Sequence, residues 1–599
     1  MQNSVPFIPD NAPFTPAQRA WLNGFLAGMF SRAQACTKAA PQLAAPTKPK
    51  LEILFGSQSG NAESLAKRVG KEAQRRGFTA SVAALEKATP AALSQAQCAL
   101  IITSTWGEGD PPDNAAPFWE QLAATNDIKL SNLNYSVLAL GDTNYEHFCG
   151  FGKRMDEKLA ELGAKRIFKR IDCNVDFDES AIKWQSGVFE ALENLGAVAT
   201  VCDRRTEVSP ADNGDGHRPP LQESVYSRKN PFPARLLVNR KLTTDGSDKD
   251  TRHYEICLKN SRLTYEVGDA LGIIPMNDPA LVQEILTAMN FDGEEEVTNH
   301  DGEKIPIRLA LLRDYQIRAP HKDFLNAMAD RDEADKYLKD LIRSDVHTEF
   351  DKFVWGREII DFLLESPGVK FAPQEFVGLL KKLQPRLYSI ASSLKAFPEQ
   401  VHLTVDTVRY DIHGRARKGV CSNFLAERCA ENTPLPVFIQ VSKHFRLPEN
   451  GDVPIIMVGP GTGIAPFRAF LHERRVTGAK GGCWLFFGAQ KSATDFFYKD
   501  ELEAMQRDGV LTRMDTAFSR DQAHKIYVQN RMLENAAELW KWLEAGAHFY
   551  VCGDASRMAK DVDAALHEII KTAGGRSEEE AGEYVQKLKA AKRYQRDVY

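Results

Sequence analysis

Two regions of the sequence, residues 51–200 and residues 451–599, alternate short apolar runs with helical patterns. In the first region the apolar runs are LEILFG, ALIITST and SVLALGD, and in the second they are PIIMVG, CWLFFG and HFYVCG. Strands that alternate with helices predict a parallel sheet with helices on both faces. The fold class is therefore predicted to be multidomain α/β, with a doubly wound domain at each end.

The stretch between these regions, residues 226–450, has a different pattern. Its runs HYEICLKN and VHLTVDTVRYDI are typical of antiparallel strands and predict a β-barrel. Residues at about 277–380 follow a helical period, which predicts an insertion into that barrel. A chain of 599 residues is longer than one hydrophobic core supports, so separate domains are expected.

Two further segments are predicted to connect or extend the domains. Residues 1–50 predict a short amphipathic helix that starts at Thr15 and Pro16, followed by a linker rich in Ala, Pro and Lys. The polar sequence SPADNGDGHRPP, residues 209–220, predicts a flexible hinge within residues 201–225.

The composition argues against several classes of protein. Lys and Arg number 76 against 81 Asp and Glu, without a long basic block, so nucleic-acid binding is not expected. The N-terminus MQNSVPFIPD lacks the pattern of a signal peptide, and the best apolar run near it is far shorter than the roughly 20 residues of a membrane span. A cytoplasmic protein is therefore predicted. The ten cysteines show no CxxC spacing and no HExxH motif occurs, so no metal site is predicted.

Three polar loops follow the predicted strands of residues 51–200: SQSGNAES, STWGEGDPPDN and LGDTNYEHFC. Because the carboxyl ends of parallel strands meet at one edge of a sheet, the loops are expected to form one ligand site. The first loop can hold a phosphate through backbone N–H groups at a helix N-terminus, although alone it is more often an ordinary turn with a capping serine. Trp106 and Tyr145 can pack an aromatic ring system between them.

A second candidate site lies in the barrel segments PRLYSIASS, TVDTVRYD and KGVCSNFLAERC. Arg386 offers a planar cationic fork that suits a diphosphate, with Tyr388 and Ser389 beside it. Gly419 begins a predicted helix whose first amides can bind the same group. An arginine at a barrel edge can equally pair with a carboxylate, and its combination with that helix favours the diphosphate.

A third candidate site begins at MVGPGTGIAPFRAF, where glycines follow a strand and precede a helix, so that backbone can approach a diphosphate. Downstream, FSRDQAHKIYVQ contains hydroxyl and basic residues that suit a 2′-phosphate and favour NADP over NAD: Ser519, Arg520, Lys525 and Tyr527. Such a cluster is otherwise a solvated charged face.

These motifs carry a resemblance to known families. Residues 51–200 look like a flavodoxin, and the RxYS segment with its following loop resembles the FAD-binding barrel of the ferredoxin reductase family. The order of flavodoxin-like domain, barrel with helical insert and ferredoxin-reductase-type NADP domain resembles the diflavin reductases across about residues 51–599.

The resemblance implies the following binding residues. FMN is expected at Ser57, Gln58, Ser59, Gly60, Asn61, Ala62, Ser104, Thr105, Trp106, Gly107, Leu140, Gly141, Asp142, Thr143, Asn144, Tyr145, Glu146, His147, Phe148 and Cys149. FAD is expected at Arg386, Leu387, Tyr388, Ser389, Thr404, Val405, Asp406, Tyr410, Gly419, Val420, Cys421, Ser422 and Tyr599. NADPH is expected at Gly461, Thr462, Ser519, Arg520, Lys525, Ile526, Tyr527, Val528, Gln529 and Asp561.

The resemblance also assigns hydride transfer to Ser389, Cys552 and Asp597, although a cysteine such as Cys552 is more often a buried structural thiol. In the diflavin reductases the last aromatic residue stacks on the FAD ring. Tyr599 stands at that place, so we expect the flavin to order the C-terminus.

The implied electron path runs from NADPH to FAD, then to FMN and to an external acceptor. The segments FTPAQRAWLNGFLAG, VRYDIHGRARKG, GPGTGIAPFRAF and RYQRDVY are most similar to family members whose partner is a sirohaem and iron–sulfur hemoprotein that reduces sulfite. Those members are homo-oligomers assembled through the N-terminal region. Two alternatives remain: a reductase for a cytochrome, an oxygenase or methionine synthase, and a non-catalytic flavin-binding scaffold.

Overall fold

The computed structural model describes most of the chain from residue 50 onward. The described residues are 50–57, 60–106, 109–125, 128–141, 147–174, 177–196, 226–331, 336–343, 347–429, 433–442 and 444–599. The predicted N-terminal helix and the predicted hinge lie outside them. In the part of the chain that is described, no helix has the length and apolar character needed to cross a bilayer.

The first domain is a parallel sheet with helices on both faces. Its elements are β1 (Leu51–Gly56), α1 (Asn61–Arg75), β2 (Ala80–Ala84), α2 (Pro90–Gln95), β3 (Cys98–Ser104), α3 (Ala116–Ala124), β4 (Asn134–Leu140), α4 (Gly150–Glu161), β5 (Lys165–Arg166), β6 (Ile171–Cys173) and α5 (Asp178–Gly196). The strand order is β2-β1-β3-β4, with β5 and β6 both paired to β4. The apolar runs read from the sequence form the central strands, and a separate core packs on each face of the sheet.

The middle of the chain forms an antiparallel sheet and a helical insert. Its elements are β7 (Phe232–Lys241), β8 (Thr251–Cys257), β9 (Ala270–Ile273), α6 (Pro279–Met289), β10 (Glu296–Thr298), β11 (Lys304–Pro306), α7 (Ile307–Arg313), β12 (Tyr315–Gln316), α8 (Lys322–Arg331), α9 (Lys336–Arg343), α10 (His347–Val354), α11 (Ile359–Glu365), α12 (Pro373–Gly378), β13 (Lys381–Lys382), β14 (Arg386–Ser389), β15 (Gln400–Asp406), β16 (Arg409–Ile412), β17 (Arg415–Lys418), α13 (Val420–Asn423) and β18 (Leu435–Gln440).

Six of these strands form the predicted antiparallel sheet, in the order β14-β9-β18-β7-β8-β15. The two end strands lie close together, because Ala391, just after β14, donates its N–H to the carbonyl of His402 in β15 at 2.8 Å. The helices α6–α12 have their own apolar core, so the predicted insertion forms a packed unit.

The last domain is a second parallel sheet. Its elements are β19 (Ile455–Val458), α14 (Ile464–Thr477), β20 (Cys483–Ala489), α15 (Ser492–Asp495), α16 (Lys499–Arg507), β21 (Arg513–Phe518), α17 (Val528–Glu534), α18 (Ala536–Glu544), β22 (His548–Gly553), α19 (Met558–Thr572), α20 (Glu578–Ala590) and β23 (Tyr594–Val598). The strand order is β21-β20-β19-β22-β23.

The C-terminus differs from expectation. Residues 594–598 are ordered by the protein itself, since they pair in parallel with β22, and the stacking of Tyr599 on the flavin stays a prediction. This pairing sets Asp597 beside Cys552 and Val598 beside Gly553. The charged residues of RYQRDV did not suggest a strand, but the segment forms an edge strand in which Tyr594 and Val598 are buried.

Candidate active site

The first candidate loop follows β1 and leads into α1. Ser57 Oγ accepts a hydrogen bond from the N–H of Gly60 at 3.0 Å, and Gly60 adopts a left-handed conformation, φ 83°, just before the helix. Asn61 and Ala62 then form the first turn of α1. The loop is tied to its neighbour because Asn114 Oδ1 accepts the N–H of Ser57 at 2.8 Å. Asn114 was not among the predicted site residues.

The second and third loops meet at the same edge of the sheet. The N–H of Thr105, after β3, bonds to the carbonyl of Leu140 at 2.9 Å, and Ser104 ends β3 beside it. Gly141 is required there, because a Cβ would lie 2.7 Å from the backbone nitrogen of Cys149. His147 and Phe148 precede Cys149, which begins α4.

Eight of the predicted FMN residues lie outside the described residues: Gln58, Ser59, Gly107, Asp142, Thr143, Asn144, Tyr145 and Glu146. The described members nevertheless converge on one edge of the sheet, as expected. The assignment of individual residues to FMN stays a prediction.

Trp106 belongs to the first domain but contacts the last domain. It packs against the apolar cluster of the last domain, which includes Tyr594 and Val598. Ion pairs surround this contact: Asp113 with Arg596, and Asp110 with Lys560 at 3.8 Å. The loop edge of the first domain therefore contacts the C-terminal strand directly.

Three predicted catalytic residues come from distant parts of the sequence and meet at this strand. Ser389 Oγ, at the end of β14, donates a hydrogen bond to Asp597 Oδ2 at 2.6 Å. The thiol of Cys552 donates to the same oxygen at 3.8 Å. Gly463 allows the glycine-rich turn to approach, since a Cβ there would lie 2.1 Å from the carbonyl oxygen of Cys552.

The surroundings of this cluster shift both acids toward their protonated forms. Burial raises the pKa of the Asp597 carboxyl, while the hydrogen bonds from Ser389 and Cys552 oppose that change. Burial, followed by the charge of Asp597, raises the pKa of the Cys552 thiol well above its ordinary value. Cys552 is therefore a neutral thiol at physiological pH, suited to donating a hydrogen bond and not to acting as a thiolate nucleophile.

Tyr599 is anchored by its backbone and its hydroxyl. Its N–H bonds to the carbonyl of Gly553 at 3.0 Å, and its carbonyl accepts the N–H of Ala555 at 3.1 Å. Its hydroxyl lies 2.7 Å from Thr462 Oγ1. The residue as a whole is nevertheless 52% exposed, and it follows directly on the strand that carries Asp597.

The predicted FAD segment lies on β14 and on the hairpin that follows β15. Arg386, Leu387 and Tyr388 are consecutive in β14, where Leu387 is exposed and the hydroxyl of Tyr388 contacts Cys421. The side chains of Thr404 and Val405 are buried in the barrel, and Asp406 pairs with Lys249 at 2.6 Å. The helix predicted to begin at Gly419 is short, and it continues after α13 as a π-helix, Phe424–Arg428.

A cavity of about 200 Å³ adjoins this segment, and its lining carries both charges with an excess of cations. Gly419 and Val420 form one wall, and the charged residues of the others are five cations and three carboxylates: Arg318, Arg415, Arg417, Lys418, Arg428, Asp278, Glu284 and Glu358. Within the described structure, the buried atoms Asn277 Oδ1 and Arg417 Nε have no hydrogen-bond partner. Arg417 Nε is a donor and Asn277 Oδ1 an acceptor, so one unpaired buried donor stands beside the guanidinium groups and the amides after Gly419 and fits the diphosphate of FAD.

Arg318 is a site residue that the motifs did not reveal. It comes from the helical insert, and its Nη2 donates to the hydroxyl of Tyr410 at 3.2 Å. Its Nε donates to Glu358 at 2.6 Å, which fixes the guanidinium. Only the folded insert brings it next to the hairpin, so no local pattern could have identified it.

The predicted NADPH residues fall in two groups. Gly461 and Thr462 lie in the turn after β19, where Gly461 has φ 58° and open space around its Cα. Ser519 and Arg520 follow β21 directly. The remaining members lie around α17: Lys525 and Tyr527 are exposed, Ile526 and Val528 pack inward, and Gln529 donates to Asp561 at 3.1 Å.

A potential metal-ligand set occurs elsewhere, between the barrel and the last domain. Ligand atoms of His253, Glu255 and His402 lie within 4.8 Å of one another. Arg468 donates to His402 Nδ1 at 3.2 Å and to the carbonyl of Ala391 at 2.7 Å. An imidazole whose Nδ1 accepts a hydrogen bond from arginine carries its own proton on Nε2, so we interpret this set as a hydrogen-bonded structural network.

The fold and the site define a reductase with a flavodoxin domain, an FAD-binding barrel and a nicotinamide-nucleotide domain. Three family models match the chain: flavodoxin over residues 53–184, FAD binding domain over 224–424, and oxidoreductase NAD-binding domain over 457–564. The protein is an NADPH oxidoreductase whose cofactors are FMN, FAD and NADPH.

Curated relatives match almost the whole chain. The sulfite reductase (NADPH) flavoprotein alpha-component of Bacillus subtilis is 46% identical over 98% of this chain and 96% of that protein. The proteins of the same name from Vibrio vulnificus and Shewanella sp. are each 40% identical over 98% of this chain, covering 94% and 96% of their own lengths. The chain belongs to the family of sulfite reductase (NADPH) flavoprotein alpha-components.

Proposed function

We propose that this protein supplies electrons from NADPH to a sirohaem and iron–sulfur hemoprotein, which reduces sulfite to sulfide in assimilatory sulfur metabolism and cysteine biosynthesis. The observation that carries this proposal is the 46% identity, over 98% of the chain, to a relative named as a sulfite reductase flavoprotein. We place the reaction in the cytoplasm and infer a homo-oligomer assembled through residues 1–50.

When bound, FAD accepts hydride and FMN transfers single electrons. The chain's own part is to hold polar groups where the nicotinamide is expected. The Asp597 carboxylate, fixed by Ser389 and Cys552, stabilises the positive charge that the nicotinamide acquires on losing hydride. Arg386, Arg318 and the first amides after Gly419 hold the diphosphate of FAD.

The contact of Trp106 and Asp113 with the C-terminal strand supports an internal electron path. In this arrangement the first domain receives electrons from the site that contains Asp597. The first domain is then the exit toward the hemoprotein.

The test compares the full chain with a variant that lacks residues 1–205. Both are reconstituted with flavins and mixed with the hemoprotein of the same cell, and sulfide formation and ferricyanide reduction are measured with NADPH. We expect the variant to reduce ferricyanide but to produce no sulfide. Sulfide formation by the variant at the full rate would exclude the first domain as the exit.

The second candidate is a reductase for a cytochrome, an oxygenase or methionine synthase. A pull-down of the full chain from its source cell distinguishes the two: a sirohaem protein in the eluate supports the first proposal. Turnover of another acceptor, with no sulfide formed in the presence of the hemoprotein, would favour the second.

A further inference from the structure

Arg520, one of the residues expected to bind the 2′-phosphate of NADPH, already has an anionic partner. Its Nη1 forms an ion pair with Asp248 Oδ2. Asp248 belongs to the loop between β7 and β8, in a different domain. A carboxylate from the FAD-binding barrel therefore lies at the guanidinium that the nucleotide is expected to use.

The backbone of this loop is fixed against the last domain. The N–H of Thr244 bonds to the carbonyl of Thr494 at 3.0 Å, and Lys491 Nζ donates to the carbonyl of Gly246 at 3.1 Å. Ser247 Oγ bonds to Asp495, a side chain that is 1% exposed. These contacts fix the part of the loop that leads up to Asp248, so the carboxylate follows directly after anchored residues when it pairs with Arg520.

We propose that Asp248 is a specificity-determining residue that competes with the 2′-phosphate for Arg520. This inference rests on the proposed role of Arg520 in binding NADPH. Carboxylate and phosphate accept hydrogen bonds from the same guanidinium fork. The ion pair is half-exposed, with side-chain exposures of 46% and 61%, and pairs of that kind are weak, so a doubly charged phosphate displaces the carboxylate.

The consequence is a lower affinity for both NADPH and NADP⁺. The bound nucleotide must replace an existing ion pair and must tolerate a carboxylate near its phosphate. When the product leaves, Asp248 pairs with Arg520 again, which favours release. NADH has a hydroxyl in place of the phosphate and does not compete for the guanidinium, so Asp248 reduces the preference for NADPH without affecting NADH.

The test uses the full chain with both flavins bound and measures equilibrium binding of 2′,5′-ADP by calorimetry. We expect Asp248→Asn to bind 2′,5′-ADP about two- to fivefold more tightly, the change that corresponds to one half-exposed ion pair. The KM for NADPH should fall by a similar factor, and the KM for NADH should stay the same.

Asp245→Asn is the matched control. Asp245 is an exposed carboxylate of the same loop and has no ion pair within the described structure. The control removes the same charge without touching Arg520, and its affinity for 2′,5′-ADP should be unchanged. Equal tightening in both variants would overturn the proposal, because general repulsion would then explain it. Weaker binding by Asp248→Asn would overturn it too, by making Asp248 a residue that positions Arg520.

Arg520→Ala separates this inference from the role on which it rests. We expect Arg520→Ala to weaken 2′,5′-ADP binding by about tenfold or more, the loss expected for a charge-assisted contact. In that background Asp248→Asn should have no effect. If Asp248→Asn keeps its full effect in the Arg520→Ala background, the competition by Asp248 is refuted but the role of Arg520 is not. If Arg520→Ala binds 2′,5′-ADP with unchanged affinity, Arg520 is not the phosphate ligand.

Discussion

Arg596, in the C-terminal strand, forms an ion pair with Asp113, which belongs to the second loop of the flavodoxin domain. The Arg596 Nε also lies 3.2 Å from Asp113 Oδ2. Arg596 is adjacent in sequence to Asp597, so one short strand carries both a residue of the proposed hydride site and the contact to the flavodoxin domain. Both side chains are mostly buried, with 15% and 27% exposure, which strengthens such a pair relative to one on the surface.

Neutralising this pair should weaken the contact between the two domains. We expect Asp113→Asn and Arg596→Gln to lower the rate of cytochrome c reduction, which in the proposed electron path requires the flavodoxin domain, by several-fold. NADPH-dependent ferricyanide reduction should change little. Asp113 belongs to the flavodoxin domain and not to the strand that carries Asp597, so equal losses in both variants identify the interdomain contact as the cause.

Lys560→Gln serves as the control for that experiment. Lys560 faces Asp110 at 3.8 Å, and its side chain is 64% exposed. Its removal should have a smaller effect, and only at low ionic strength. A loss in Arg596→Gln alone, with normal rates in Asp113→Asn, would place the defect in the hydride site and not in the domain contact.

Cys552→Ala tests whether this thiol contributes to the rate. Its raised pKa keeps the group neutral, so its role is to donate to Asp597 in the reacting complex. We expect kcat with NADPH to fall by about tenfold while KM changes little, the pattern of an interaction made in the transition state. The pH–rate profile should show no step from thiol ionisation near neutral pH.

Cys483→Ala is the matched control for that variant, since Cys483 is also buried in a central strand but makes its hydrogen bond to the carbonyl of Gly481. A similar fall in kcat there would mean that a general cavity effect explains both variants. An increase in KM alone in Cys552→Ala would assign Cys552 a structural role.

Two buried histidines should lower the free energy of unfolding in acid. Burial, followed by the charge of Arg468, lowers the pKa of both His253 and His402 to about 3. The unfolded chain binds these protons near pH 6.5 and the folded chain does not, so stability falls as the pH drops below about 6.5 and toward 3. Each imidazole should cost about 2 kcal/mol of unfolding free energy between about pH 6.5 and 4.5.

Thermal melts of the full chain at about pH 6.5 and about pH 4.5, following the transition of the FAD-binding barrel, test this linkage. His253→Gln should show a smaller decrease in Tm between the two pH values than the unchanged chain, whatever its stability at neutral pH. His524→Gln, at an exposed position, should keep the original decrease. Identical decreases in all three proteins would refute the assignment.

The sequence predicted the local elements well and the long-range contacts poorly. Runs such as LEILFG and HFYVCG became central strands because apolar residues of that length can be buried only inside a sheet. The convergence of Ser389, Cys552 and Asp597 was implied by family resemblance, and the structure brings them into contact. Their catalytic roles, the individual binding residues and the domain boundaries stay predictions.

Contacts between domains had no local signal. Asp113 and Arg596 are 483 residues apart, and Asp248 and Arg520 are 272 apart, so each pair depends on how complete domains pack. The strand at residues 594–598 was missed because edge strands carry charged side chains, which hide the apolar pattern of a buried strand. Arg318 was missed because its partner Tyr410 lies 92 residues further along the chain, beyond the end of the helical insert.

Tyr599→Ala is the last prediction, and it concerns nucleotide preference. In the proposed role, the Tyr599 ring covers the surface that the nicotinamide must reach, so part of the binding energy of the nucleotide is used to displace it. Displacement breaks the hydroxyl contact with Thr462, at 2.7 Å, and any aromatic stacking worth about 0.5 to 1.5 kcal/mol. NADPH supplies this energy through its 2′-phosphate, whereas NADH lacks that contact. Removing the ring should therefore help NADH most and narrow the preference for NADPH in kcat/KM, while NADPH turnover falls because NADP⁺ leaves more slowly.

Tyr599→Phe keeps the ring and loses only the Thr462 contact, so its preference should lie close to that of the unchanged chain. Steady-state kinetics with both nucleotides measure this, and an unchanged preference in Tyr599→Ala, with unchanged FAD absorbance, would mean that the ring does not restrict access.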